Sequence, residues 1–235
     1  MSQELNCVGV VAHPKRPQTL PVADAIAASL KRHGLTTWIH SAMDDDIVIE
    51  AVRCADMIVA IGGDGAMLRA GRLSAPFKLP VVGVNMGRLG FLTEIAGPDD
   101  WEPALERLLS GDYWIEKRMM ISASVEREGQ IVFQADALND AVISGTAFGR
   151  MIQLETYIDN DWTTTYNADA LILATPTGST AYALSSGGPI LPPDLSNLLL
   201  VPVAPHLSLD RPIVLSEGSR VDIRQAPGNR YEVLL

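Results

Sequence analysis

Asp64 stands among three glycines in Ile61-Gly62-Gly63-Asp64-Gly65-Ala66-Met67-Leu68, where an apolar run gives way to a helical pattern. Glycine lets the main chain come close to a ligand, and the first amides of a helix turn positive partial charge toward an anion. The amides of Gly62, Gly63 and Gly65 are therefore candidate hydrogen-bond donors to a phosphate. The segment is neither a P-loop, which needs Lys followed by Ser or Thr, nor a G-x-G-x-x-G turn. A carboxylate inside a phosphate cradle repels its ligand unless it holds a metal or accepts a proton from an attacking hydroxyl. Asp64 is thus either a catalytic group or part of a plain Asp-Gly turn.

Three further segments carry polar groups at the ends of apolar runs. Gly83-Val84-Asn85-Met86-Gly87-Arg88-Leu89-Gly90-Phe91-Leu92-Thr93 follows a strand-like run with glycines, a cation and an aromatic ring. That is where open parallel sheets bind ligands, although a structural turn would read the same way. Asn139-Asp140 interrupts the apolar stretch Ala135 to Ile143, and an amide beside a carboxylate suits the vicinal hydroxyls of a ribose, with a bulge or turn as the alternative. Asp169 to Ala174 then opens into Thr175-Pro176-Thr177-Gly178-Ser179-Thr180-Ala181-Tyr182-Ala183-Leu184-Ser185-Ser186-Gly187-Gly188-Pro189. This run of hydroxyls entering a short helical piece fits recognition of a polar small molecule.

The elements that position these segments change character near residue 115. Up to Leu109, strand-like runs (Val8 to Ala12, Thr36 to His40, Met57 to Ile61, Leu79 to Val84) alternate with helical spacing (Pro21 to His33, Ile47 to Cys54, Pro98 to Leu109). That grammar predicts a parallel sheet covered on both faces. From Met120 on, short alternating runs are separated by turn residues such as Glu128-Gly129 and Asp159-Asn160-Asp161. They predict an all-β, sandwich-like unit. Ile131 to Ile143 reads as one long extended stretch, and Tyr231 to Leu235 as a last strand that either pairs internally or leads into further chain. The expected domains are 1–115 and 116–235.

Composition narrows the function classes. The 235 residues suffice for a core without staples. Eighteen Lys and Arg against 28 Asp and Glu give a formal charge of −10, which argues against coating nucleic acid or an anionic membrane. Two cysteines make no disulfide framework and suit a reducing compartment. The sequence contains neither a basic-then-apolar leader nor a run of 18 apolar residues, so a cytoplasmic location is expected.

In this order, the Gly-Gly-Asp-Gly, Asn-x-Gly-x-Leu-Gly-Phe-Leu, Asn-Asp and Thr-Pro-Thr-Gly-Ser-Thr-Ala-Tyr motifs resemble those of the NAD kinase family. The likeness spans residues 8 to 215 and includes Pro205-His206-Leu207-Ser208 and Arg211-Pro212. It implies a Rossmann-like or phosphofructokinase-like α/β domain followed by a β-sandwich-like one. It also implies transfer of the γ-phosphoryl of ATP to the 2′-hydroxyl of the adenosine ribose of NAD, making NADP. A divalent ion, magnesium by preference, would come with ATP, with no metal-ligating side chain assigned and no tightly bound prosthetic group. Asp64 is implied as the proton acceptor, and the Gly62 to Gly65 amides as hydrogen-bond donors to phosphate. Asn139 and Asp140 would bind ribose hydroxyls. Thr180 and Ala181 would read adenine, with Thr177, Tyr182, Ala183, Leu184 and Ser185 completing the pocket and Phe91 walling it. Asp169 would reach the dinucleotide of a neighbouring subunit, which implies a homo-oligomer, a dimer or tetramer. Arg69 and Arg150 are candidate phosphate contacts. Asn167 is a dinucleotide contact standing where a basic residue is common, and Ala66 stands where a hydroxyl or amide residue is common. The family also continues past this chain's last strand with a segment that returns to the first domain. The rival readings are a lipid kinase sharing the Gly-Gly-Asp-Gly cradle and a non-catalytic dinucleotide-binding module.

Overall fold

A computed structural model of the chain describes residues 5–87, 90–146, 151–227 and 233–235. It divides into two compact units, Met1–Ile115 and Glu116–Leu235.

In the first unit β1 (Cys7–Ala12), α1 (Thr19–Arg32), β2 (Thr36–His40), α2 (Ile49–Arg53), β3 (Met57–Gly62), α3 (Asp64–Ser74), β4 (Val81–Asn85) and α4 (Trp101–Ser110) follow one another. The strands form one parallel sheet in the order β2-β1-β3-β4. Every residue of β3 is buried, as expected for a strand covered on both faces. Alternation sorts its side chains. Val8, Val10, Val59 and Ile61 pack under Ala23, Ile26 and Leu30 of α1 and under Trp101 and Leu105 of α4. Val11, Ile58 and Ala60 pack under Val52 of α2 and under Ala70 and Leu73 of α3. The chain moves from β1 outward to β2, then returns to the other side of β1 as β3. This is the flavodoxin-type order of a doubly wound sheet rather than the Rossmann order, and its topological switch point lies between β1 and β3.

In the second unit every paired strand is antiparallel. The strands are β5 (Ile121–Arg127), β6 (Gln130–Ala137), β7 (Asp140–Gly145), β8 (Ile152–Ile158), β9 (Asp161–Ala168), β10 (Ala170–Ala174), β11 (Asn197–Val203), β12 (Ile213–Ser216), β13 (Val221–Gln225) and β14 (Val233–Leu234). One helical turn, α5 (Tyr182–Ser185), lies between β10 and β11. Strands β12-β11-β10-β7-β14 make a five-stranded sheet, β13-β8-β9 a three-stranded one, and β5-β6 a separate hairpin. Ile152, Leu154 and Tyr166 of the smaller sheet share a core with Leu171 and Leu200 of the larger. On the other face of the larger sheet, Ile172, Ala174, Leu199 and Val201 pack against Ala183 of α5. The sandwich core therefore lies on one side of β10 and the hydroxyl-rich segment on the other.

One expectation needs revision. The single stretch Ile131 to Ile143 is two strands in different sheets, broken at Leu138-Asn139. The cause is tertiary: the Leu138 carbonyl accepts Thr175 Oγ1 at 2.5 Å, and the Asn139 carbonyl accepts the Thr175 N–H at 2.8 Å. Those main-chain acceptors serve the following loop instead of a strand ladder. The described residues of the terminal run form β14, whose Val233 and Leu234 pair internally with Gly145 and Ser144 of β7. Tyr231 lies outside the described residues.

Candidate functional site

At the carboxyl end of β3 the chain turns at Gly62, where φ is +150° and a Cβ would stand 2.8 Å from the Cβ of Ala66. Helix α3 begins two residues later. The N–H groups of Ala66 and Met67 return to the Gly63 carbonyl at 2.9 and 3.3 Å. The amides of Asp64 and Gly65 are thereby left as the first-turn donors without an intrahelical acceptor. Asp64 itself is anchored: Oδ2 accepts the Phe91 N–H and Oδ1 the Leu92 N–H, each at 3.0 Å. A side chain at Gly90 would run into this carboxylate. The second glycine-rich segment thus folds onto the first, a link the two motifs read separately do not reveal. Two donated N–H groups also offset the charge of a carboxylate set beside an anion site. The Phe91 ring is 75% exposed. Asn85 is buried, and its amide nitrogen donates to the Gly87 carbonyl at 3.2 Å. Arg88 and Leu89 lie outside the described residues.

Arg69, the candidate phosphate contact one turn past the cradle, is committed elsewhere. Its Nε donates to Asp45 Oδ1 at 3.0 Å, and its Nη2 contacts Asp45, the Ala42 carbonyl and His40. His40 is buried and stands 3.2 Å from the same Asp45 oxygen. Arg69 Nη1 is buried with no partner. Neither Asp45 nor His40 was singled out by the sequence, because nothing in their spacing relates them to α3. Burial pushes the Asp45 carboxyl up, but the hydrogen bond and charge of Arg69, aided by His40, outweigh it and hold its pKa below the ordinary value. A depressed carboxylate pKa stabilises the fold above the unfolded-state pKa and loses that contribution as pH falls through the folded-state pKa. Arg69→Ala is therefore expected to lower the unfolding free energy at pH 7 by about 2–3 kcal/mol. Denaturant melts should also show a shallower acid loss below about pH 4 than the parent. An unchanged melt would show that the network carries no stability.

In the second unit the Asn139-Asp140 step and the hydroxyl segment form one interlocked surface. Asp140 opens β7 opposite Ala174, the last residue of β10. Thr175 ties the loop back to Leu138 and Asn139, and its Oγ1 also accepts the Gly178 N–H at 3.1 Å. A side chain at Gly178 would collide with the main chain of Asn139. Ser179, fully buried, donates to the Pro176 carbonyl at 2.7 Å and accepts the Leu191 N–H at 2.9 Å. Thr175 and Ser179 therefore fix the loop from beneath. Thr177 Oγ1 accepts from Arg118 Nη1 at 3.2 Å, and Arg118 is ion-paired with Glu116. No spacing in the sequence relates Arg118 to this loop. Thr180 Oγ1 lies 3.3 Å from the Thr177 carbonyl. Ala181 is half-buried, Ala183 is buried, and Tyr182, Leu184 and Ser185 are exposed. Ser185 Oγ donates to the Tyr182 carbonyl at 2.9 Å. Two polar groups are left over beside this loop. Asn139 Oδ1 is buried without a partner, and the half-buried Asp140 carboxyl has its pKa raised by burial.

Asn167 and Asp169 are not part of that cluster. They sit at the β9–β10 corner, roughly 20 Å of strand from Thr175. The Asn167 main chain engages His206 and Ser208, and Asp169 is exposed. Arg150 lies outside the described residues.

Comparison with known proteins decides between the readings. The model of the ATP-NAD kinase N-terminal domain matches residues 8–113, and that of the ATP-NAD kinase C-terminal domain matches residues 138–235. The NAD kinase of Heliobacterium modesticaldum is 42% identical over 97% of this chain and 82% of its own length. That of Photorhabdus laumondii is 38% identical over 99% of this chain and 83% of its own length. The chain belongs to the NAD kinase family. Two solved structures share its fold. Yeast NADH kinase complexed with NADH has a TM-score of 0.81 at 23% identity, over 98% of this chain and 74% of that one. An NAD kinase from Archaeoglobus fulgidus in complex with ATP has a TM-score of 0.71 at 24% identity, over 97% and 92%. Membership in the family makes the protein a phosphotransferase and covers both units, whereas a lipid kinase sharing one cradle would account for the first alone.

The divalent ion that the family resemblance implies is given no protein cage by the described residues. Among the described residues no three His, Cys, Asp or Glu side chains are grouped to hold a metal. The side chains described do not fit a resident metal centre.

Proposed function

We propose that this protein transfers the γ-phosphoryl group of ATP to the 2′-hydroxyl of the adenosine ribose of NAD, giving NADP and ADP. The observation that carries the reading is the interlock of Asn139-Asp140 with the loop from Thr175 to Thr180. It holds a buried carbonyl oxygen without a partner and a carboxylate kept half from water. A pair of sugar hydroxyls satisfies both. Thr180 and Ala181 read the adenine edge, and Thr177, Tyr182, Ala183, Leu184 and Ser185 shape its surroundings, while Phe91 supplies an exposed apolar wall. Gly62, Gly63 and Gly65 hold phosphate by their amides.

Chemically, the 2′-oxygen forms a bond to the γ-phosphorus as the bond to the β-γ bridging oxygen breaks, and ADP departs. Such a transfer asks for positioning and charge stabilisation more than for covalent catalysis. Asp64 orients the hydroxyl and takes its proton late; each of its oxygens retains a lone pair beyond the amide it accepts. A divalent ion travels with the phosphates of ATP as part of the substrate. Arg69 acts through Asp45 and α3 rather than on phosphate. The exposed Asp169, with Asn167, serves a dinucleotide on a neighbouring subunit of a homo-oligomer, which sedimentation of the full chain tests. No helix among the described residues is long and apolar enough to cross a membrane.

The deciding experiment is a coupled assay for NADP with NAD or NADH as acceptor and ATP or polyphosphate as donor. NADP formation is expected. Tight NAD binding without turnover by the folded protein would favour a dinucleotide-binding module instead. Asp140→Ala is expected to weaken NAD binding by on the order of 1.5–3 kcal/mol, read by calorimetric titration. Because burial raises the Asp140 pKa, ionisation there costs the folded state stability above that pKa. Asp140→Asn should accordingly be no less stable than the parent at pH 7. A destabilised Asp140→Asn with unchanged NAD affinity would make the residue structural.

A further inference from the structure

Strand β1 is followed by His13-Pro14-Lys15-Arg16-Pro17-Gln18, and β3 by the cradle glycines. The two strands are direct neighbours, with Ala12 in register with Ile61. The loop after β1 therefore lies beside Gly62, and the His13 Cβ is 4.0 Å from where a Gly62 Cβ would be. Both loops leave the sheet at its switch point, the crevice where doubly wound sheets take their ligands.

The loop is held in shape. Arg16 N–H donates to the His13 carbonyl at 3.1 Å, and Thr19 N–H to the Arg16 carbonyl at 2.9 Å. Lys15 N–H lies 3.2 Å from His13 Nδ1, and the buried Thr19 Oγ1 donates to the Arg16 carbonyl at 2.7 Å. Pro14 and Pro17 fix two of its φ angles. Its side chains, however, are unassigned. The chain carries ten more acidic than basic residues, and Arg32, Arg53, Arg69, Arg107, Arg118, Arg211 and Arg220 each meet a carboxylate. Lys15 and Arg16 are exposed and form no ion pair with any carboxylate among the described residues. Both lie close enough to act on His13, whose pKa is lowered by burial first and then by Arg16, Arg69 and Lys15. Two cations without an ion-pair partner thus stand on a fixed loop that neighbours amides favouring an anion.

We propose that Lys15 and Arg16 grip the terminal phosphates of the phosphoryl donor, the polyphosphate chain common to a nucleoside triphosphate and to inorganic polyphosphate. The glycine amides of residues 62–65 then bind one side of that chain and the β1 loop the other. This inference deepens the kinase reading, and it rests on that reading for the word donor.

The test is the double substitution Lys15→Ala/Arg16→Ala in the full chain, with Lys31→Ala at the far end of α1 as a control for net charge. Inorganic tripolyphosphate is titrated calorimetrically onto each protein, and KM for ATP, for long-chain polyphosphate and for NAD are measured in parallel. The double variant is expected to weaken tripolyphosphate binding and raise KM for whichever donor is used by about tenfold or more. KM for NAD and kcat should stay within about twofold, Lys31→Ala should match the parent, and Lys15→Arg/Arg16→Lys should restore most of the loss. An effect confined to ATP or to polyphosphate identifies the donor and supports the proposal. Equal tripolyphosphate binding by parent and double variant, or none by the parent, overturns it. Should no donor yield NADP, the kinase reading fails on its own, and the tripolyphosphate titration still decides whether the loop holds a phosphate chain.

Discussion

Asp64→Asn should slow NADP formation at saturating substrates by about a hundredfold or more, the range lost with a general base. NAD affinity should stay nearly unchanged, because that affinity is assigned to Asn139, Asp140 and the hydroxyl loop. Asparagine keeps the size of the side chain and one acceptor oxygen. It also turns an NH2 group toward either the Phe91 or the Leu92 amide, both of which donate to Asp64 at 3.0 Å. One hydrogen bond is therefore lost, and stability should fall by about 1 kcal/mol. The two readouts separate chemistry from anchoring: a rate loss far larger than this small change in melting can explain belongs to the carboxylate's charge. Gly90→Ala supplies the complement. It leaves Asp64 intact but drives a methyl group into its carboxylate, so the rate should fall through displacement alone. Near-normal turnover of Asp64→Asn would refute its role as base and orienter.

What could be seen in the sequence followed from how local each constraint is. The α/β unit was legible because its central strands β1 and β3 are buried on both faces and its helices end at residues such as Gly34 and Gly111, which sit at φ +82° and +74°. The β unit was legible at its hairpins, where Gly129, Asp159 and Asn160 adopt the positive φ those residue types tolerate. The break at Leu138-Asn139 was hidden, since it is made by Thr175, 37 residues away from Leu138. The commitment of Arg69 to Asp45 was hidden for the same reason, being set by a loop 24 residues earlier. Motif reading found Asp64 and the Gly90-Phe91-Leu92 turn as separate features. Only the fold shows that one binds the other. Lys15 and Arg16 went unremarked because two cations in a proline-bounded loop look like ordinary surface until the register places them beside Gly62.

Gly178→Ala is the other substitution from which a large effect is expected. A Cβ there would overlap the Asn139 carbonyl and lie within 3 Å of its Cα. These are main-chain atoms, so no rotamer change relieves the clash, and Asn139 is itself fixed by the Thr175 N–H at 2.8 Å. Either the loop lifts away from Asn139-Asp140 or β7 shifts against β10. Overpacking of this kind costs about 1–3 kcal/mol, and both movements separate the groups assigned to the ribose from those assigned to adenine. NAD binding should therefore weaken by about tenfold or more, the equivalent of losing one good hydrogen bond to a charged group. Gly218→Ala gives the comparison that isolates the cause. Gly218 sits at φ +84° with nothing near a Cβ, so alanine there strains the turn before β13 by about 1 kcal/mol without touching the loop. Calorimetric titration of NAD onto both variants should show weakened binding in Gly178→Ala alone. Equal NAD affinity in the two would mean that the contact between Gly178 and Asn139 supports the fold and nothing more.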